Sequence, residues 1–222
     1  MKHYLGIGLA VLLVGASSGA MGAPPPRAVD PDWPCIQPLV PTLSAGMLWS
    51  GPPIETAGDW HAEPRVAALV ARIGPRKVPA AEGEAAIAEF LKSLGADRDR
   101  LSALAFAGLL DESNRQRGEV IERLKELAQR QRKIADIVAD LTTQMDALPV
   151  SSLGGNPAPG GADPVAAEPS GEEAAHARDL NERWTYVSRT HTEMQRTMRY
   201  ICEVPVQIDS RLGTYARALM AQ

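Results

Sequence analysis

Apolar residues recur at steps of three and four along two stretches of this chain, and that spacing predicts two long helices. The first covers residues 97–148 and has no internal proline. Written as heptads, one seam position holds Ala103, Leu110, Arg117, Leu124, Gln131, Val138 and Met145; the other holds Phe106, Ser113, Val120, Leu127, Ile134, Leu141 and Leu148. This coiled-coil period is clean after Val120 and poor around Ser113 and Arg117, so a break is expected across residues 111–115, with Gly118 weakening the same stretch.

The second long helix starts at Glu172, with Ala177, Leu180, Trp184, Val187, His191, Met194, Met198 and Ile201 on its seam. The same phase continues through Ile208, Leu212, Tyr215 and Leu219, so Pro205 should mark a kink or the start of a separate short helix. Between the two, residues 149–171 contain five prolines and five glycines and read as a flexible linker. A linker of that length lets the helices fold back as an antiparallel hairpin. With Leu148 at the height of Ala177, Leu141 falls opposite Trp184, Val138 opposite Val187, Ile134 opposite His191 and Gln131 opposite Met194. Gln131 and His191 then lie in neighbouring layers, and a bond between them would fix the register.

Two shorter amphipathic patterns precede the hairpin. Pro64 opens one, with Val66, Leu69, Val70 and Ile73 on its stripe and Gly74 and Pro75 ending it; the other follows Pro79 and carries Ile87, Phe90, Leu91 and Leu94 as far as Gly95. Upstream, residues 24–64 contain ten prolines and three of the four tryptophans, Trp33, Trp49 and Trp60. Proline at that density prevents a continuous helix, while tryptophan is costly to leave in water. The segment is expected to lie as an extended strap on the helical body, with Trp33 packed beside Cys35.

The resulting expectation is an all-α protein: an elongated antiparallel, coiled-coil-like hairpin with short packing helices and an extended N-terminal strap rich in Pro and Trp. Its divisions are residues 1–22, a signal peptide; 23–62, the strap; 63–148, the helical region ending in the long heptad helix; 149–171, the linker; and 172–222, the returning helix and C-terminal helix. Composition agrees, since only 5% of the 222 residues are aromatic and 34 are alanine, the best helix former. The formal charge of −4 argues against a polybasic nucleic-acid binder.

The signal-peptide reading rests on Lys2 and His3, the apolar run at residues 4–15, and the small residues that follow. Cleavage is expected after Ala20 or Gly22, leaving a periplasmic or secreted chain. Cys35 and Cys202 are the only cysteines, and an oxidising compartment makes them a disulfide candidate.

Candidate chemistry is sparse. His191, Met194, Met198 and Cys202 recur at steps of three and four, and imidazole, thioether and thiolate would suit Cu(I). The same residues fill seam positions that a heptad needs for packing, where methionine is a normal gap filler. His61, His176 and His191 are far apart in sequence, and no HExxH, CxxC or mature GxSxG occurs. No motif implies a cofactor. The charged run at residues 112–133 reads as a solvated coiled-coil flank, with an anionic membrane surface as its other possible use. The expectation is therefore a non-enzymatic interaction or scaffold protein with a protein partner in the cell envelope, monomeric or paired through its long helices. The different-class alternative is a metal- or small-ligand-handling protein using His191, Met194 and Met198.

Overall fold

The computed structural model describes residues 30–149 and 170–221. The expected signal peptide, the start of the strap and most of the linker lie outside the described residues. Within them the fold is all-α, with five helices and no strand: α1 (Pro64–Ile73), α2 (Ala80–Lys92), α3 (Arg98–Asp146), α4 (Gly171–Ile201) and α5 (Glu203–Met220). At 1.5 Å per residue, the 49 residues of α3 span about 73 Å. The antiparallel hairpin is present: α4 returns along α3, and α5 continues onto α3 and α2.

The principal core lies at one end of the molecule. There α1 buries Val66, Leu69, Val70 and Ile73, and α2 buries Ile87, Phe90 and Leu91. These side chains meet Leu101, Leu104, Phe106 and Leu109 of α3 and Leu212, Tyr215 and Leu219 of α5. Pro64 occupies the first turn of α1, where its missing N–H has no intrahelical acceptor to lose. The second short helix stops at Lys92, three residues before the expected Gly95. Gly95 instead adopts a left-handed φ of 54° and turns the chain into a 3₁₀ segment, Gly95–Asp97, that leads into α3.

The expected break across residues 111–115 is absent; α3 runs through it as one helix. The polar side chains that spoil the heptad here face other parts of the fold than α4. Asn114 accepts the Leu43 backbone N–H at 2.8 Å and donates to the Leu43 carbonyl at 3.0 Å, clamping the strap. Gln116 donates to the Gly74 carbonyl at 3.0 Å, at the C-terminal end of α1. Arg117 is buried and donates to the carbonyls of Val40 and Pro205 and to Asp209 of α5. Asn114, Gln116 and Arg117 thus make junctions with the strap, α1 and α5.

The expected interruption near Pro205 is present, at Cys202. The helix ends at Ile201, Cys202 caps it, and α5 starts at Glu203, so Pro205 lies in the first turn of a new helix. That is the separate-helix alternative, and the first turn is where proline costs least. The start of α4 is fixed by a capping box: Ser170 accepts the Glu173 N–H at 3.2 Å while the Glu173 carboxylate accepts the Ser170 N–H at 2.8 Å.

Past the core, α3 and α4 form a two-helix shaft. A cluster of Val120, Leu124 and Ala128 with Met198, Cys202 and Ile208 fills its base. Farther out, Leu141, Ala177 and Leu180 are buried, while Ile134, Val138, Val187, His191 and Met194 are only half-buried because two helices cover each other on one side alone. The Trp184 indole N–H donates to Thr142 Oγ1 at 3.0 Å, placing Trp184 at the expected height beside Leu141. Gln131 and His191 are half-buried, and no hydrogen bond joins them, so the register rests on the apolar layers and not on this pair.

Candidate functional site

The strap meets the hairpin at the base of the shaft. Residues 30–33 form a turn in which the Trp33 N–H donates to the Asp30 carbonyl at 3.0 Å and the Asp32 N–H to Asp30 Oδ1 at 2.9 Å. Both carboxylates face cations of α3: Lys125 Nζ lies 3.0 Å from Asp30, Gln129 donates to Asp32 at 2.8 Å, and Arg132 pairs with Asp32. These contacts hold both aspartates below the usual carboxylate range. For Asp30 the largest cause is the Asp32 N–H and then Lys125; for Asp32 it is Gln129 and then Arg132. The Lys125 ammonium is shifted up, chiefly by its hydrogen bond to Asp30.

Two residues beyond this turn, Cys35 is disulfide-bonded to Cys202 at the junction of α4 and α5. Trp33 packs against the same cluster as the disulfide, and its indole N–H donates to the Gln37 carbonyl at 2.7 Å. The segment from Asp30 to Gln37 is thus pinned at both ends. Immediately after the disulfide, Ile36 projects fully into solvent.

Beside Ile36 lies an open groove of about 440 Å³ between the strap, α3 and α4. Ala128 and Met198 supply its apolar floor, Gln131 and Gln195 present amides, and Arg132 and Arg199 bring positive charge. Glu203 is the one carboxylate in the lining, which contains no histidine, hydroxyl or free thiol. The lining thus offers amides, guanidinium groups and apolar surface, and no nucleophile with an adjacent base.

The expected metal-ligand set lies along the seam of α4. Met198 is buried in the apolar cluster at the base of the shaft, His191 and Met194 are half-buried farther along the seam, and the Cys202 sulfur is bonded to Cys35. Among the described residues no group of three or more His, Cys, Asp or Glu is placed to hold a metal ion. No helix described is long and apolar enough to cross a membrane.

Sequence reasoning missed the groove because its walls come from three separated segments. It also missed the roles of Arg117 and Asn114, although an arginine at a seam position of an apolar heptad was the signal. A second, half-buried polar junction lies where Arg211 of α5 donates to the carbonyls of Gly74 and Pro75, at 2.7 and 2.8 Å, capping the C-terminal end of α1. Burial pushes the Arg211 guanidinium below its ordinary value.

No protein-family model matches this chain, and neither does any curated protein or solved structure.

Proposed function

We propose that this protein is an exported, periplasmic, non-enzymatic scaffold that binds another protein of the cell envelope through the groove where the strap crosses the hairpin. The observation that carries this reading is Ile36, a fully exposed isoleucine that directly follows the disulfide-bonded Cys35 on a strap whose preceding aspartates are ion-paired to α3. A backbone already held in place loses little entropy on docking, so the apolar side chain it presents serves well as an anchor. The groove beside it takes an apolar side chain of the partner over Met198, and the exposed Arg199 guanidinium meets a partner carboxylate. The disulfide supports the export reading, because such bonds persist in oxidising compartments.

The test is site-specific photocrosslinking in cells, with the reactive group at Ile36 and, as a control, at the exposed Thr56 of the strap. A discrete protein adduct from position 36, absent from position 56 and lost when Arg199→Glu is added, is the expected result. Equal labelling at both positions, or no adduct at 36 in cells that retain the protein, overturns the reading.

A further inference from the structure

The flank of the hairpin opposite the strap carries a separate pattern. Ala128, Gln195 and Cys202, each immediately after a seam residue, all line the groove, so that side of the shaft faces the strap. The other side carries the residue immediately before the seam position Val138, which is Ile137, and Tyr186, which follows Trp184 by two on the same face of the pair. These two large side chains are 48% and 73% exposed.

Charge is divided along the shaft. Its distal part, residues 136–146 and 171–182, holds seven carboxylates and one arginine. Its basal part, residues 122–135 and 183–201, holds nine arginines and lysines and three carboxylates. The strap aspartates offset only Lys125 and Arg132, and within-helix pairs such as Arg189 with Glu193 leave the excess in place. The sign changes between Lys133 and Asp136 on α3 and between Glu182 and Arg183 on α4, within a turn of Ile137 and Tyr186.

We infer that the occupant of this flank is a second copy of the chain, laid antiparallel so that each acidic tip rests on the other's basic stem. A parallel pair would set seven carboxylates against seven, whereas the antiparallel pair sets each sign against its opposite. Complementarity places the two-fold axis at the change of sign, where Ile137 and Tyr186 meet their own copies and form an apolar centre within a charged rim. The pair of hairpins becomes a four-helix bundle that covers the open side of both seams. This pairing goes beyond the proposed partner binding and leaves the groove on the opposite flank accessible.

Sedimentation of the intact, disulfide-bonded protein tests the pairing. A dimer is expected at low ionic strength, its dissociation constant rising about tenfold or more toward physiological salt as screening sets in. Ile137→Glu with Tyr186→Glu should give a monomer with unchanged helical circular dichroism. Orientation is read by mixing Arg130→Cys with Gln144→Cys chains, whose positions lie about equally far on either side of the axis. A short bis-maleimide should join the two chains to each other and neither to itself. A wild-type monomer at all concentrations, a dimer indifferent to salt, or a self-crosslink at position 130 overturns the proposal. Loss of the Ile36 adduct with the dimer intact would count against the partner-binding groove alone.

Discussion

Arg117, only 4% exposed in the middle of α3, places its Nη1 2.5 Å from Asp209 Oδ1 of α5 while its Nε and Nη2 both donate to the Val40 carbonyl of the strap. One guanidinium thereby joins three segments far apart in sequence. Asp209 is partly exposed, and burial raises its carboxyl above the ordinary value against the pull of Arg117.

Arg117→Leu is therefore expected to cost about 2–3 kcal/mol, because it leaves the Val40 and Pro205 carbonyls and the partly exposed Asp209 carboxylate without their donor. Adding Asp209→Leu to that variant should recover part of the loss by removing the unpaired charge. Urea unfolding followed by far-ultraviolet circular dichroism measures both. A single variant within about 1 kcal/mol of the parent would show that the junction is not a significant support.

The same residue shows how far the sequence could be read. Periodicity located the two long helices, the hairpin and the height of Trp184 because an apolar seam depends only on local spacing and a partner of like spacing. The pairing of Cys35 with Cys202 was legible because there are only two cysteines. Arg117, Ser113 and Asn114 were read as weak points of a coiled coil, since the heptad assumes that the partner of each seam residue is another seam. The partners of Arg117 and Asn114 are instead backbone groups of the strap and a carboxylate of α5, groups whose approach depends on tertiary packing. The groove was illegible for the same reason.

Removing the disulfide with Cys35→Ala and Cys202→Ala should lower stability by about 5 kcal/mol in the loop-entropy account, because the bond spans 167 residues of sequence. The helices of the principal core make no use of the bond, so helical content at low temperature should be retained. Thermal unfolding with and without a reductant checks this, and a loss below about 1 kcal/mol would show that the strap ties the chain equally well without it.

Tyr215 is 2% exposed, and its hydroxyl has no hydrogen-bond partner. The ring lies against Gly83 of α2, where a Cβ would overlap the phenol. Tyr215→Phe should stabilise the protein by about 1 kcal/mol, since it removes a buried unsatisfied hydroxyl and keeps the ring. Gly83→Ala should cost about 1–3 kcal/mol by overpacking the same contact, and less in the Tyr215→Phe background. Denaturant unfolding of the four chains tests both points; a destabilised Tyr215→Phe protein would mean that the hydroxyl is satisfied in solution.

Acid should loosen the strap before the core. Asp30 and Asp32 have folded-state pKa values below the ordinary aspartate value of about 4. Their contacts with Lys125, Gln129 and Arg132 therefore add stability that is fully present above the unfolded value. That contribution is lost as pH falls through the lowered folded values, so release belongs below about pH 4 rather than near neutrality. The Trp33 indole N–H, bonded to Gln37 at the end of this segment, reports the event by nuclear magnetic resonance. Its signal should shift in that acid range while the Trp184 indole, bonded to Thr142 in the shaft, stays in place. Asp32→Asn should move the change, because the neutral side chain no longer pairs with Arg132 as an ion. A Trp33 signal unaffected by acid or by Asp32→Asn would show that the disulfide alone fixes the strap at this point.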